Sequence, residues 1–210
     1  MTLNGAGDWC VILWLWEQHK VLAKIDFAVI EPVESRMFQV SYKQIMGQVV
    51  VVSGPQTFKY YKLTEDGTRQ FKEVHSQLRE VGGSMDVSSD YTAHCWTKDP
   101  IKLVVTNTKG DIIVCQMSGE FQAYVRDSPF AQRLECILPY SRGFYIGGQD
   151  GRIYQYESTP DENVIYELTS EIKFEDREKF KDVQIPPSAV GQLAISNELE
   201  DMLYYVDRCN

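Results

Sequence analysis

His94 and Cys95 set an imidazole beside a thiol, the two groups that a cysteine nucleophile and its general base require within hydrogen-bond reach. They are neighbours in Tyr91-Thr92-Ala93-His94-Cys95-Trp96, which reads as a strand. Successive side chains on a strand point to opposite faces, so this pair cannot bond to each other. Gly147-Gly148-Gln149-Asp150-Gly151 has the glycine content of a phosphate loop. No helical pattern follows it and no Lys-Ser/Thr pair closes the motif, so its spacing predicts a tight hairpin. Cys10, Cys95, Cys115, Cys136 and Cys209 include no C-x-x-C pair, and His19, His75 and His94 lack metal-ligand spacing. The strands read as innermost contribute Tyr42, His94, Cys95, Cys136 and Ser196, with no pair of carboxylates and no nucleophile beside a usable base. The reading is therefore of a non-enzyme with no catalytic residue, metal site or cofactor.

The elements that would position these side chains are strands. Trp14 and Trp16 are two aromatics at an i, i+2 spacing within Leu13–Val21, and they read as a strand buried on both faces. The pattern recurs in Phe58–Leu63 after Ser53-Gly54-Pro55, in Asp111–Met117 after Asn107-Thr108-Lys109-Gly110, and in Arg152–Glu157 after the glycine-rich turn. Four occurrences in the same relation to a turn make a repeat. The residues singled out as its core signature are Trp14, Trp16, Glu17, Tyr154, Tyr156 and Glu157, with hairpin turns at Gly54, Gly67, Gly110, Gly148 and Gly151. Gly67 sits in an Asp-Gly pair, the strongest short hairpin signal.

Taken in order, the chain reads as all-β: a WD40-like β-propeller in part, with three complete four-stranded antiparallel blades and two half blades. The blades fall at about 9–27 (half), 37–76, 91–127, 133–175 and 190–207 (half), with insertions at 78–90 and 175–189. The first half blade is expected to supply third and outer strands, Met1–Asp8 being a turn, and the last to supply first and second strands. Trp14 and Trp16 are expected to pack beside the 37–63 strands. Two closures are open. The ends pair with each other in a four-bladed ring, or the remaining blades of a seven-bladed ring lie outside this sequence; the second is preferred.

Composition limits the partners. The 210 residues are 43% hydrophobic and 12% aromatic, enough for a sizeable core, and the longest apolar stretch, Trp9–Trp16, is too short to span a bilayer. Met1–Gly5 has no basic region ahead of an apolar run, and dispersed reduced thiols fit an intracellular compartment. A formal charge of −9 argues against a nucleic-acid surface or anionic lipid. It also argues against broad contact with an acidic microtubule wall, while Lys98, Lys102 and Lys109 read as a solvated loop rim. Partners are expected to be proteins, gathered at the two insertions, because long loops on a rigid scaffold are where binding residues concentrate.

A more specific likeness follows from Leu13–Val21, Phe38-Gln39-Val40-Ser41, Val52-Ser53-Gly54, Tyr91–Trp96 and Thr106–Asp111. In this order the segments resemble the N-terminal propeller of the cilia- and flagella-associated protein 57 family of axonemal WD-repeat proteins. The resemblance implies a scaffold in the cytoskeleton of the cilium or flagellum, with tandem seven-bladed propellers and a coiled coil. The partners it implies are inner-arm dynein with its tether or regulatory complexes, the doublet microtubule mostly through adaptors, and the remainder of its own propeller. The sequence holds no heptad segment, and it lacks the Gly-His dipeptide and Asp-His-Ser-Trp network of regular WD repeats. A general WD-repeat adaptor outside cilia is the alternative.

Overall fold

The computed structural model describes residues 1–4, 9–28, 38–44, 47–64, 70–75, 90–125, 132–161, 164–173, 189–196 and 199–208. Seventeen strands and one 3-10 turn, Trp16–Gln18, account for the regular structure among them. Thr2–Asn4 (β1), Cys10–Leu15 (β2) and Lys20–Asp26 (β3) form a three-stranded sheet. Gln39–Gln44 (β4), Gln48–Gly54 (β5), Thr57–Leu63 (β6) and Phe71–His75 (β7) form a four-stranded one. Tyr91–Trp96 (β8), Leu103–Asn107 (β9), Ile112–Cys115 (β10) and Phe121–Tyr124 (β11) form the next. Leu134–Tyr140 (β12), Gly143–Gly148 (β13), Ile153–Ser158 (β14) and Tyr166–Ile172 (β15) form the third such sheet. Ala189–Ile195 (β16) and Leu203–Arg208 (β17) pair as a hairpin.

Every sheet is an antiparallel meander of consecutive strands, and none combines strands from both ends of the described chain. The N-terminal sheet has one strand more than the sequence led us to expect, because Thr2, Leu3 and Asn4 pair with Ile12, Val11 and Cys10. At the other end β16 begins at Ala189, one residue ahead of the half blade expected at 190–207. The insertion at 78–90 lies outside the described residues except for Asp90, and that at 175–189 except for Ala189.

Local chemistry accounts for the strands. Val49–Val52 is a run of β-branched side chains, stiff at χ1 and suited to an extended chain. All four are buried because β5 is an interior strand with apolar residues on both faces. β9 and β10 repeat the pattern and are buried along their whole lengths. The last hairpin of the N-terminal sheet and of each four-stranded sheet carries a register shift, at Leu13/Trp14, Tyr60/Tyr61, Val114/Cys115 and Gln155/Tyr156. An extra residue on one strand bends it and increases the local twist, so the shift recurs as part of the repeat.

The chain divides into two compact units, Met1–Tyr91 and Thr92–Asn210. In the first, Trp9, Val11, Leu13, Ile25 and Phe27 of the N-terminal sheet pack against Phe38, Val50, Val52 and Tyr61 of the next. Trp9 lies 5.0 Å from Phe38, ring centre to ring centre. In the second, Cys95, Val104, Ile112, Val114 and Val125 pack against Phe144, Ile146, Tyr154, Tyr156 and Tyr166. Phe144 stacks on Tyr156 at 5.3 Å and meets Tyr166 edge-on at 4.9 Å.

Phe144 has no accessible surface and fills the contact between two sheets. Phe144→Ala should lower the unfolding free energy by about 3–5 kcal/mol, read as an earlier urea midpoint. A loss well below that range would mean that the site collapses around the truncation.

Candidate interaction surface

Buried polar groups on the inner strands serve the fold. His94 and Cys95 are both buried, on opposite faces of β8. Burial lowers the His94 pKa to about 3 and pushes the Cys95 thiol well up, so both are neutral at pH 7. A neutral thiol beside a neutral, differently facing imidazole is not an activated nucleophile. Among the described residues no three His, Cys, Asp or Glu side chains group as metal ligands, and no helix is long and apolar enough to cross a membrane.

The glycine-rich loop closes a hairpin. Gly148 ends β13, the Gly151 N–H donates to the Gly148 carbonyl at 3.2 Å, and Gly151 has φ +75. Asp150 occupies the loop with its carboxylate, which accepts from the Tyr154 hydroxyl at 2.6 Å and from the Arg152 N–H at 3.2 Å. A carboxylate where phosphate oxygens would sit repels them. Gly110 (φ +91) closes the corresponding turn, where the Asn107 side chain accepts the Lys109 and Asp111 N–H groups at 3.0 and 2.9 Å. Gly54 is required for another reason: it is the last residue of β5, and a Cβ there would lie 2.3 Å from the Phe38 ring. The turn itself is Pro55-Gln56, with Gln56 at φ +48. Gly67 lies outside the described residues.

Tyr154 and Tyr156 are buried on β14, and Glu157 accepts from the Tyr140 hydroxyl at 2.7 Å and pairs with Arg142 at 3.0 Å. Trp14 and Trp16 behave differently, and the expectation for them is corrected. Trp14 is 42% exposed and Trp16 77% exposed. β2 ends at Leu15, and Trp16-Glu17-Gln18 turns as a 3-10 segment closed by His19 at φ +50, so the strand read over Leu13–Val21 is interrupted at Trp16. The residues of β2 that pack against the β4–β7 sheet are Val11 and Leu13, and alternation turns Trp14 to the other face.

In the second unit the turns between first and second strands form a polar surface that the sequence did not disclose. Glu200, in the turn after β16, accepts from the Lys98 ammonium of the β8–β9 turn and from the Ser141 N–H of the β12–β13 turn, the latter at 2.8 Å. One carboxylate therefore joins three successive hairpins. The Lys98 hydrogen bond, then that from Ser141, holds the Glu200 carboxyl at a pKa of about 2. Beside it, Gln155 donates to Tyr140 at 2.8 Å and to Glu157 at 3.0 Å, while the Arg142 guanidinium lies 6.0 Å from the Tyr140 ring centre. Burial leads the causes that push the Tyr140 hydroxyl up, so it remains a donor at neutral pH. Lys98 and Arg142 are largely exposed, whereas their partners Glu200 and Glu157 are shielded. The surface thus presents its cations outward and its anions inward.

No family model matches the chain. Cilia- and flagella-associated protein 57 A of Tetrahymena thermophila is 28% identical over 180 residues, covering 84% of this chain and 14% of that protein. Its curated relatives carry a ciliary name. Protein 57 C of the same organism is 22% identical over 76% of this chain and 16% of its own length, and the mouse protein 57 is 28% identical over 65% of this chain and 10% of its own. The chain thus spans only a small part of the relatives it matches. Among solved structures, the β-propeller domain of Cps50 (Swd1) from Myceliophteria thermophila superposes with a TM-score of 0.62 at 12% identity, covering 90% of this chain and 57% of that one. Chaetomium thermophilum Raptor gives 0.60 at 10% identity, over 89% and 16%. The fold is a WD40-type β-propeller, present in part.

The Glu200 contact gives a pH dependence of definite sign. A carboxyl whose folded pKa is depressed contributes stability above its ordinary value of 4.5, and that contribution is lost as pH falls toward about 2. Glu200→Gln should flatten acid destabilisation across that window and raise deuterium uptake in β16 and β17 at neutral pH. Uptake unchanged from the parent protein would show that the three turns hold together without it.

Proposed function

We propose that this chain is part of a non-catalytic WD-repeat scaffold of the ciliary or flagellar axoneme, which helps to position inner dynein arms and regulatory complexes on doublet microtubules. The observation that carries the reading is the coincidence of a propeller fold with similarity to cilia- and flagella-associated protein 57 over 84% of the chain. A propeller presents turns and blade edges of rigid sheets to several proteins at once, which suits it to holding motors and regulators in register. The blades are assigned to the sheets described above. In this reading Tyr154, Tyr156 and Glu157 hold the third complete blade together, and the insertions at 78–90 and 175–189 carry partner contacts. Contact with the doublet runs mostly through adaptor proteins, and neither nucleic acid nor membrane is a partner. The absence of turnover is supported by two neutral, oppositely facing groups, His94 and Cys95.

The test is to express the full-length protein with a C-terminal proximity-labelling tag in ciliated cells. Axonemal localisation with enrichment of inner-arm dynein subunits is expected. Uniform cytoplasmic distribution would instead favour an adaptor outside cilia. Removing residues 78–90 or 175–189 should reduce retention on salt-washed axonemes, and full retention would assign the contacts to the blades. A hydrolase or transferase activity abolished by His94→Ala or Cys95→Ala would overturn the non-catalytic reading.

A further inference from the structure

The outermost strand of a sheet presents unpaired backbone N–H and C=O groups along one side, and natural proteins blunt such edges with lysine, proline or shortness. The last strands of the larger sheets differ in this respect. β3 carries Lys20 and Lys24, β7 carries Lys72, and β11 is four residues long. β15, Tyr166-Glu167-Leu168-Thr169-Ser170-Glu171-Ile172, is seven residues long and holds neither lysine nor proline. The register shift is common to all four and does not set β15 apart. Among the described residues β14 is its one strand neighbour, so its outer side is an open edge.

The charges on β15 define what that edge accepts. Glu171 is held by Arg152 and Lys173. Glu167 stands directly opposite Glu157 across the β14–β15 pair, and like charges in that relation are unfavourable. Glu157 has Arg142, Tyr140 and Gln155 around it. Glu167 is exposed and, among the described residues, has neither an ion-pair partner nor a side-chain hydrogen bond. Leu168 beside it is 38% exposed. A cation opposite Glu167 on an added strand relieves the repulsion by Glu157, and the next residue of that strand meets Leu168 on the other face, because side chains alternate. A second copy of β15 brings Glu167 and Glu171 against the same acidic edge, so like charge disfavours self-pairing. The formal charge of −9 adds long-range attraction for a basic segment.

We infer that the outer edge of β15 is a docking strand for another protein, from which it takes up an extended segment as a fifth strand, with Lys or Arg opposite Glu167 and an aliphatic residue opposite Leu168. Backbone hydrogen bonds supply the affinity, and these two positions supply the specificity. The inference rests on the described sheet and not on the ciliary role. Its readouts come from purified protein, so loss of axonemal targeting leaves them untouched.

The experiment uses the full-length protein and three synthetic probes: acetyl-Lys-Val-Thr-Val-Lys-Val-Thr-amide, the same peptide with Glu for each Lys, and the Lys peptide with every backbone amide N-methylated so that it cannot join a ladder. Fluorescence anisotropy is read together with deuterium exchange at the outward-facing amides of β15. The Lys peptide is expected to bind and, at about ten times its dissociation constant, to slow that exchange about tenfold. The Glu and N-methylated peptides are expected to do neither. Glu167→Lys should reverse the choice, so that the Glu peptide binds in place of the Lys peptide. If Glu167→Lys does not fold, Glu167→Gln takes its place and should weaken the Lys peptide without admitting the Glu peptide. No binding of the Lys peptide, equal binding of the Lys and Glu peptides, or binding without protection of β15 overturns the inference. So does an N-methylated peptide that binds as tightly as its parent, or a Glu167→Lys variant that still prefers the Lys peptide. Protection of the outward-facing amides before any peptide is added also overturns it, whether it rises with protein concentration, as from a second copy, or stays constant, as from a covering segment of this chain.

Discussion

A sheet whose interior strands are apolar on both faces is stable only when another sheet covers each face. β5, β9 and β10 are such strands: Val49–Val52, Leu103–Asn107 and Ile112–Cys115 leave no polar face to solvent. The rest follows from meeting this demand. Within each unit neighbouring sheets pack face to face, the last strand of each of these sheets carries most of its exposed side chains, and the clusters around Tyr61 and Tyr156 lie between sheets. Apolar side chains remain exposed at Trp14 and Val21 of the first sheet and at Tyr204, Tyr205 and Val206 of the last hairpin.

Much of this was legible because the determinants are local. β-branched runs announced the buried strands, and Asn107, Asp150 and their glycines announced turns whose side chains do accept the backbone N–H groups of the turn. The misses are non-local. The direction of Trp14 follows by alternation only once Val11 and Leu13 are seen to pack against the next sheet, so two tryptophans in an apolar run read as core. Thr2–Asn4 is too short and polar to signal a strand, and it is extended because Cys10–Ile12 offers an edge to pair with. Gly54 reads as a turn residue from Ser-Gly-Pro, yet the side chain that excludes a Cβ there is Phe38, sixteen positions earlier in sequence and across the sheet. The Glu200 contacts join residues 102 and 59 positions apart, beyond any window of sequence pattern.

The polar residues of the inner strands illustrate why the eye for catalytic groups needs geometry as well as residue type. Thr92 and Thr106 hydrogen-bond across the first pair of strands at 3.0 Å, and Thr97 ties its own turn by donating to the Pro100 carbonyl at 2.6 Å and accepting the Lys102 N–H at 2.8 Å. These hydroxyls are consumed in fastening one strand to the next. Near them a histidine in a fully buried site is held neutral, and it behaves there as a shaped, mostly apolar filler.

Glu200 has a mechanical consequence. Hairpins anchored only through their own strands answer a sideways pull one at a time, each bending about its own sheet. A carboxylate bonded to Lys98 and Ser141 at once makes the turns of three sheets share the load, so that a shear applied to any of them is spread along the row. Because one of the two bonds is an ion pair with an exposed lysine, the stiffness of the row should soften as salt concentration rises, while the bond to the backbone N–H persists.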